Sequence, residues 1–348
     1  PIGRANELLP QYKEEHKFDY GNIVAGLQRF LMGAFKKVVL ADGMALLVNE
    51  VYGNLYEHQG LSLITAVILY SFQLYFDFAG YTDMAVGSAR LLGFRLRENF
   101  RQPYFATDMG DFWSRWHMSL TTWFNDYIFT PLVWSRWANK LVFGKKWEEH
   151  KPHFAANLII VFLISGLWHG AGMTYVLWGL FHGAVRAVEE LISRGIPKAK
   201  RKKKKAGVLL WFCRLKVFVI WTFSLIIFRA ATISDVGYIL ANMFRGISLT
   251  NYVEFLGDAV AQNISSATLY YALFAFIILA SLIIASALDA KSYRAYAENS
   301  GFDNNPLALY KAKPRWALYW VMGISTMFFY FITLTSANGN AGFIYLGF

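Results

Sequence analysis

The apolar positions of this sequence fall in long continuous runs. Residues 61–79 form one run of about membrane length, interrupted by Gln73 and Asp77 near its end. Three further runs with few charges lie farther along the chain, at residues 207–230, 268–288 and 316–335. An α-helix needs about 20 consecutive apolar residues to cross the hydrocarbon core of a bilayer. The runs therefore predict membrane-spanning helices.

Another apolar run is divided by glycines. Residues 155–175 are strongly apolar, and after Gly170 and Gly172 the chain continues as an apolar segment to about residue 192. Glycines between two periodic apolar segments favour a break in the helix. We therefore predict two adjoining helices with a junction at these glycines.

Two regions combine apolar residues with charges that a lipid-facing helix would not tolerate. Residues 22–48 are apolar at helical spacing and carry four charged side chains, namely Arg29, Lys36, Lys37 and Asp42. This pattern predicts an interfacial or partly buried helix. Residues 104–134 are dense in aromatic residues and hold five acidic or basic ones, namely Asp108, Asp111, Arg115, His117 and Asp126. We expect buried helices or re-entrant segments lining a wet cavity, where polar groups find partners.

The composition supports a membrane protein and locates the positive charge. Hydrophobic residues make up 56% of the chain and charged residues 16%, which is richer in apolar residues and poorer in charge than an ordinary soluble domain. The net charge of +11 would suggest nucleic-acid binding in a soluble protein, but much of the excess lies in the lysine-rich residues 193–206. Basic loops stay in the cytoplasm and attract anionic lipid headgroups. We predict a basic cytoplasmic loop that sets the topology, with contact to membrane lipids as the alternative role, and no nucleic-acid partner.

Common soluble catalytic motifs are missing from the sequence. The single cysteine, Cys213, can form no internal disulfide and is predicted to pack within its apolar run. Neither His117 nor His169 has the neighbouring ligand spacing typical of zinc, so no metal site is predicted. There is also no Gly-x-Ser-x-Gly elbow, phosphate loop or dinucleotide fingerprint. These observations exclude the usual soluble routes to acyl and phosphoryl transfer.

Two histidines are candidates for chemistry. His169 lies in the segment SGLWHGAG, inside a run that otherwise indicates burial in the membrane, and His117 precedes it by 52 positions in the aromatic segment. An ionisable residue at membrane depth is often functional. Position alone leaves a structural histidine, bonded to a neighbouring helix, as an equal alternative for His169.

The remaining histidines and the acids of the first run are predicted to be structural. Asp77 and Asp83 lie in FDFAGYTD at the end of that run, where carboxylates cap helices, bind Arg or Trp groups, or line a polar cavity. The histidines given a structural interpretation are His16, His58, His150, His153 and His182.

Several segments in order along the chain carry a family resemblance. They include PIGRANELLPQ, FDFAGYTDMAVGSARLLGF, NFRQPY, DFWSRWHMSLTTWFNDYIFTPL, SGLWHGAGMTYVLWGLFHG and the final GFIYLGF. Together they resemble the membrane-bound O-acyltransferases, most closely the bacterial branch that includes the membrane subunit of alginate O-acetylation. One departure is Asn125, where alginate-type relatives often have arginine.

The resemblance implies a fold and a set of site residues. The fold is all-α, with polytopic transmembrane helices and re-entrant or buried amphipathic helices around a central cavity. Residues 1–348 are expected to form a single membrane-embedded domain, and because PIGR follows several helices in relatives, the N-terminal part of the family fold is expected to be missing. His169 matches the catalytic histidine of the family and His117 its second functional histidine. The candidate substrate-binding residues are Trp168, Arg115, Trp116 and Asp126.

The resemblance also implies a reaction. A cytoplasmic acyl thioester, expected to be acetyl-CoA, would donate its acyl group to an extracytoplasmic polysaccharide hydroxyl, or to a periplasmic or extracellular acetyltransferase partner, with no bound cofactor. The expected location is the bacterial cytoplasmic membrane, in a multi-pass arrangement. Three alternatives remain open: D-alanyl transfer to teichoic acid from a carrier-protein thioester, a transporter or flippase of an acyl or polysaccharide precursor, and a structural scaffold.

Overall fold

The computed structural model describes residues 1–135, 140, 154–195, 207–261 and 312–335, and every regular element in these ranges is a helix. The α-helices are α1 (Ala5–Lys13), α2 (Tyr20–Ala34), α3 (Asp42–Gly53), α4 (Leu61–Leu91), α5 (Met109–Trp113), α6 (Met118–Phe124), α7 (Thr130–Trp134), α8 (Phe154–His169), α9 (Met173–Gly195), α10 (Gly207–Arg229), α11 (Ile233–Asn242), α12 (Leu249–Ala261) and α13 (Ala312–Thr335). The all-α class expected from the sequence is confirmed for these residues.

The apolar runs correspond to helices with somewhat different bounds. The run at 61–79 is the first part of α4, which continues to Leu91, and the run at 207–230 is α10. Among the described helices these two are long and apolar enough to cross a membrane. The run at 316–335 lies in α13, whereas the run at 268–288 lies outside the described residues. The multi-pass arrangement stays a prediction.

The glycine-divided run forms the two predicted helices. Helix α8 has 16 residues and ends at His169, and α9 begins at Met173. The backbone amide of Gly170 donates to the carbonyl of Leu167, so the last turn of α8 closes before the chain enters α9. Of the predicted basic loop at 193–206, only the first three residues are described, and they complete α9.

Contacts divide the chain into two compact units. Of the described residues, those within 1–98 and 239–348 form the first unit and those within 99–238 form the second. In the first unit, α2 and α4 pack through glycines: a Cβ on Gly33 would lie 2.6 Å from the carbonyl oxygen of Gly80, and one on Gly87 would lie 2.7 Å from that of Gly26. The glycines recur after seven residues on both helices, which is about two turns. Their backbones therefore approach along one continuous line.

The same helix pair buries charges. Arg29 of α2 bonds both Asp83 and Glu98, and the Lys36 ammonium lies 2.6 Å from a second oxygen of Asp83. Lys37 lies 2.6 Å from Asp42 and 2.8 Å from Asp77. Residues 22–48 thus run through α2, a π-helical segment (Phe35–Ala41) and the first part of α3, and this stretch is partly buried with its charges paired. The structural role expected for Asp77 and Asp83 of α4 is observed as ion pairs.

The second unit has an aromatic core. Trp116 stacks on Phe112 with ring centroids 5.7 Å apart, and Trp221 of α10 lies 4.6 Å from each of these two rings. The acids of the same segment also have partners. The Asp108 carboxylate accepts the Asp111 amide hydrogen at the start of α5, and Asp111 pairs with Arg115. For Asp108 and Asp111 this matches the expectation that polar groups in residues 104–134 find partners within the protein.

Candidate functional site

His169 occupies the last position of α8, where aromatic rings surround it. Its ring centroid lies 4.9 Å from that of Trp168, 5.2 Å from Trp178 and 5.1 Å from Phe228, each in an edge-to-face arrangement. The imidazole is only partly buried. A histidine in such a setting is shielded from bulk water on several sides and still open to a substrate on another.

Glycines bring α9 close enough to place Trp178 against this histidine. A Cβ on Gly166 of α8 would collide with the carbonyl oxygen of Tyr175, and one on Gly179 of α9 would collide with that of Phe162. Small residues at a helix interface allow the backbones to approach closely. Gly166 and Gly179, which flank the junction at Gly170 and Gly172, thus belong to the packing that shapes the site.

His117 is held in an unusual backbone conformation at the start of α6. It has φ 44° and ψ 51°, which is the left-handed region, and its side chain is 6% exposed. Its Nδ1 lies 3.1 Å from Oδ1 of Asn99, and the backbone amide of Met118 donates to the carbonyl of Asn99. One asparagine therefore binds both the side chain and the neighbouring backbone of this histidine.

The hydrogen bonds of Asn99 determine the tautomer of His117. The same Oδ1 accepts from the backbone amide of Ser119 at 3.1 Å and from its hydroxyl at 2.8 Å. Because a backbone N–H can only donate, the Asn99 atom facing this group is the oxygen and not the amide nitrogen. His117 Nδ1 must then carry the hydrogen that it donates to Oδ1. In this neutral tautomer its Nε2 is the acceptor nitrogen of the ring.

The fold brings the two candidate histidines near one another, although 52 positions separate them in the chain. Burial lowers the pKa of His117 to about 3, and a charge on His169 contributes in the same direction. His117 lies between the short helices α5 and α6, outside the helices long enough to span a membrane. The ring is therefore neutral near pH 7 and can accept a hydrogen bond from a substrate hydroxyl.

The structure places the four candidate binding residues differently. Trp168 touches His169 and is 51% exposed, so its indole is available to a ligand. Arg115 donates to Asp111 at 2.7 Å. Trp116 is buried in the aromatic core, and Asp126 is exposed on a π-helical turn, where it accepts from Asn125. Trp168 thus lies against the ring of His169, and the substrate contacts of all four residues stay predictions.

Two residues of the site were not singled out by sequence reasoning. Asn99 is fully buried and lies in NFRQPY, one of the segments that carry the family resemblance. His182 was predicted to be structural, yet its ring lies 4.8 Å from Trp178, the tryptophan that packs on His169. A polar residue next to a proline turn gives a weak signal, and only the fold shows what Asn99 binds. Within the described ranges no group of three or more His, Cys, Asp or Glu side chains is placed to hold a metal ion.

Comparison with known proteins gives a consistent set of matches. Residues 1–232 match the model of the MBOAT, membrane-bound O-acyltransferase family. A peptidoglycan O-acetyltransferase of Helicobacter pylori is 34% identical over 308 residues, which cover 86% of this chain and 55% of that protein. A probable alginate O-acetylase, AlgI, of Azotobacter vinelandii is 34% identical over 287 residues, with coverage of 82% and 51%. A teichoic acid D-alanyltransferase of Bacillus subtilis is 35% identical over 197 residues, with coverage of 53% and 46%. The chain spans about half the length of the curated relatives it matches.

Proposed function

Because this chain belongs to the membrane-bound O-acyltransferase family, we propose that it moves an acyl group, expected to be acetyl, from a thioester donor to a hydroxyl acceptor. The observation that carries the proposal is the pair of histidines. His169 lies in an aromatic setting that remains partly open, and His117 is fixed by Asn99 as a neutral acceptor nearby. Acyl transfer to a hydroxyl needs a base at the acceptor and a means of orienting it.

In the proposed mechanism His169 is the general base. It takes the proton of the acceptor hydroxyl as the oxygen–carbon bond forms, and the carbon–sulfur bond of the thioester then breaks. The departing thiolate takes up that proton and leaves as a thiol. Nε2 of His117, the acceptor nitrogen of this tautomer, would accept a hydrogen bond from the acceptor hydroxyl and so orient it. In a covalent alternative the imidazole of His169 first attacks the thioester carbonyl, and the thiolate takes up the imidazole proton and leaves as a thiol. The acceptor hydroxyl then attacks the acyl-histidine, and its proton returns to the imidazole as the nitrogen–carbon bond breaks.

The indole of Trp168 is the proposed donor to the developing oxyanion. Tryptophan carries one N–H group that can only donate, and half of this side chain is exposed beside His169. A donor held in place before the reaction, in surroundings of low polarity, stabilises negative charge more than water does. Removing one such donor typically slows acyl transfer by roughly 10²–10³-fold.

The acceptor is proposed to be a cell-envelope polymer or a protein that passes the acyl group to one. Relatives are named for transfer to peptidoglycan, alginate and teichoic acid. The donor would approach from the cytoplasm and the acceptor from the outer side of the bacterial cytoplasmic membrane. Helices α4 and α10 are long enough for two of the crossings that a multi-pass arrangement requires. Acetyl-CoA is the first donor to test, and a D-alanyl carrier-protein thioester is the second.

The test is release of free CoA from acetyl-CoA by the full-length protein in detergent micelles, with and without acetylatable polysaccharide. His169→Ala should reduce the rate by roughly 10²–10⁴-fold, the usual contribution of general acid–base catalysis. His16→Ala is the matched control, because His16 is an exposed histidine of the other unit. A folded His169→Ala protein with an unchanged rate would contradict the proposal. So would a folded wild-type protein that releases no thiol from either donor, and that outcome would favour the transporter interpretation.

A further inference from the structure

A second buried histidine lies in the middle of α9, in a cage of aromatic rings. His182 has no exposed surface. Its ring centroid lies 4.8 Å from Trp178, 5.1 Å from Trp113 and 5.9 Å from Trp221. Two phenylalanines, Phe162 and Phe181, complete the cage at 5.9 and 5.5 Å. No part of the proposed mechanism uses this side chain.

The cage contains several polar atoms that the protein itself leaves without hydrogen bonds. Within the part of the chain that the structure describes, neither ring nitrogen of His182 has a hydrogen-bond partner. The same holds for the indole nitrogens of Trp113, Trp178 and Trp221. Nearly all buried polar groups in proteins are hydrogen-bonded to protein or ordered water, so a group of such atoms in one place requires an explanation. Their grouping points to a bound polar species.

The chemistry of these atoms limits what can bind. Each tryptophan offers one donor, and a neutral imidazole offers one donor and one acceptor. The occupant must therefore accept more hydrogen bonds than it donates to the cage. It must also be small, because aromatic rings enclose His182 on several sides. Water accepts two hydrogen bonds and donates two, and buried waters typically make about three hydrogen bonds to polar groups of this kind.

We propose that His182 and the surrounding indole N–H groups bind internal water, and that this water site holds Trp178 in place against His169. The edge-to-face contacts of Trp178 with both histidines provide the connection. A water bound to the indole N–H and to His182 would stop the Trp178 ring from rotating away from the base. His182 is then a positioning residue, and this part of the proposal rests on the acyl-transfer function above.

Radiolytic hydroxyl-radical labelling of the full-length protein tests the water site without reference to activity. X-ray pulses generate radicals from bound water, so buried side chains beside ordered water are oxidised while dry buried side chains are not. Trp178 and Trp221 are buried, and Phe76 of α4 is an equally buried reference ring without a polar group. We expect both tryptophans to be oxidised well above the level of Phe76. In His182→Phe the oxidation of these two tryptophans should decrease several-fold. Labelling of the tryptophans no higher than that of Phe76 would overturn the proposal.

Kinetics test the positioning role. In His182→Phe the kcat should fall by about tenfold or more with the KM for the thioester within about twofold, since misplaced catalytic groups reduce kcat strongly. His182→Gln keeps donor and acceptor atoms and should recover most of the rate. A His182→Phe protein with reduced labelling and a normal kcat would overturn the positioning role.

The outcomes separate this proposal from the proposed function. Wild-type protein that transfers no acyl group contradicts the function, while its labelling still decides whether water is bound. If His182→Phe does not fold, labelling of the wild type tests the water site and the kinetics of His182→Gln test the positioning role. If the tryptophans of His182→Gln are labelled as in the wild type but its kcat is about tenfold lower, bound water does not position Trp178. That result would contradict the positioning role.

Discussion

Two helix pairs among the described residues pack through glycines but bury different kinds of side chains. In the first unit, α2 and α4 meet through Gly26, Gly33, Gly80 and Gly87 and enclose charges that are paired. In the second unit, α8 and α9 meet through glycines as well, but what lies beside them is a set of aromatic rings and histidines. Close backbone approach is common to both pairs. Buried charges that are paired indicate a structural role. Buried polar atoms without hydrogen bonds among aromatic rings indicate a site where a polar species binds.

The comparison predicts different consequences of mutation. Removing one partner of a buried ion pair leaves an uncompensated charge, which mainly lowers the free energy of unfolding. Removing a group around His117 or His169 should mainly change the rate of acyl transfer. Three variants test this division, in order of decreasing effect.

The largest effect on stability is expected in the charged pair. Asp83→Ala would leave Arg29 without one of its carboxylate partners and Lys36 without its contact at 2.6 Å. The expected loss in free energy of unfolding is about 3–5 kcal/mol, measured by denaturation in mixed micelles. Glu190→Ala is the control, because it breaks the more exposed Glu190–Arg194 pair and should cost at most about 1 kcal/mol. Equal losses of unfolding free energy in Asp83→Ala and Glu190→Ala would contradict the distinction between buried and exposed ion pairs.

The next effect is on activity and concerns the tautomer of His117. Asn99→Leu removes the acceptor for Nδ1 and should lower kcat by roughly 10–10²-fold. This loss is smaller than the one caused by replacing the aspartate that sets the histidine tautomer in a Ser-His-Asp triad. Asn99→Asp keeps an acceptor and adds a negative charge 3.1 Å from Nδ1, which raises the pKa of His117. A neutral His117 then persists only at higher pH. The acid limb of the rate profile should move to higher pH, and an unmoved limb would contradict the assigned role.

The smallest effect concerns the glycine line of α2 and α4. Gly33→Ala would bring a Cβ to 2.6 Å from a backbone oxygen of Gly80 and should cost about 1–3 kcal/mol of unfolding free energy. Gly237→Ala in α11 is the matched control, since nothing lies within 4 Å of its Cβ position. Alanine there should stabilise the helix by about 0.5–1 kcal/mol. Thermal unfolding of both variants with matched detergent measures the difference, and a destabilised control with a neutral Gly33→Ala would refute the packing argument.

Much of the fold follows from local patterns. Long apolar runs identified α4 and α10, and the glycines after His169 predicted the break between α8 and α9. The family resemblance drawn from the sequence motifs is confirmed by the match over residues 1–232. These features are local or carried by fixed motifs, which is why a sequence shows them.

What the patterns did not show depends on partners far along the chain. Arg29 is bonded to Asp83, which lies 54 positions later in the chain. The buried charge is therefore compensated by a residue that local sequence patterns do not include. Trp116 and Trp168 have the same residue type and stand beside candidate histidines, yet one is buried in the core and the other is half exposed. The role of Asn99 depends on three hydrogen bonds to residues 18 and 20 positions away.

The left-handed backbone of His117 means that this position is constrained twice, once by its imidazole and once by its dihedral angles. Glycine and asparagine enter that conformation readily, whereas β-branched residues resist it. A saturation library at this codon should therefore separate into two groups by protein yield before activity is measured. Variants with low yield report on backbone shape, and only the well-expressed asparagine and glycine variants report on proton chemistry.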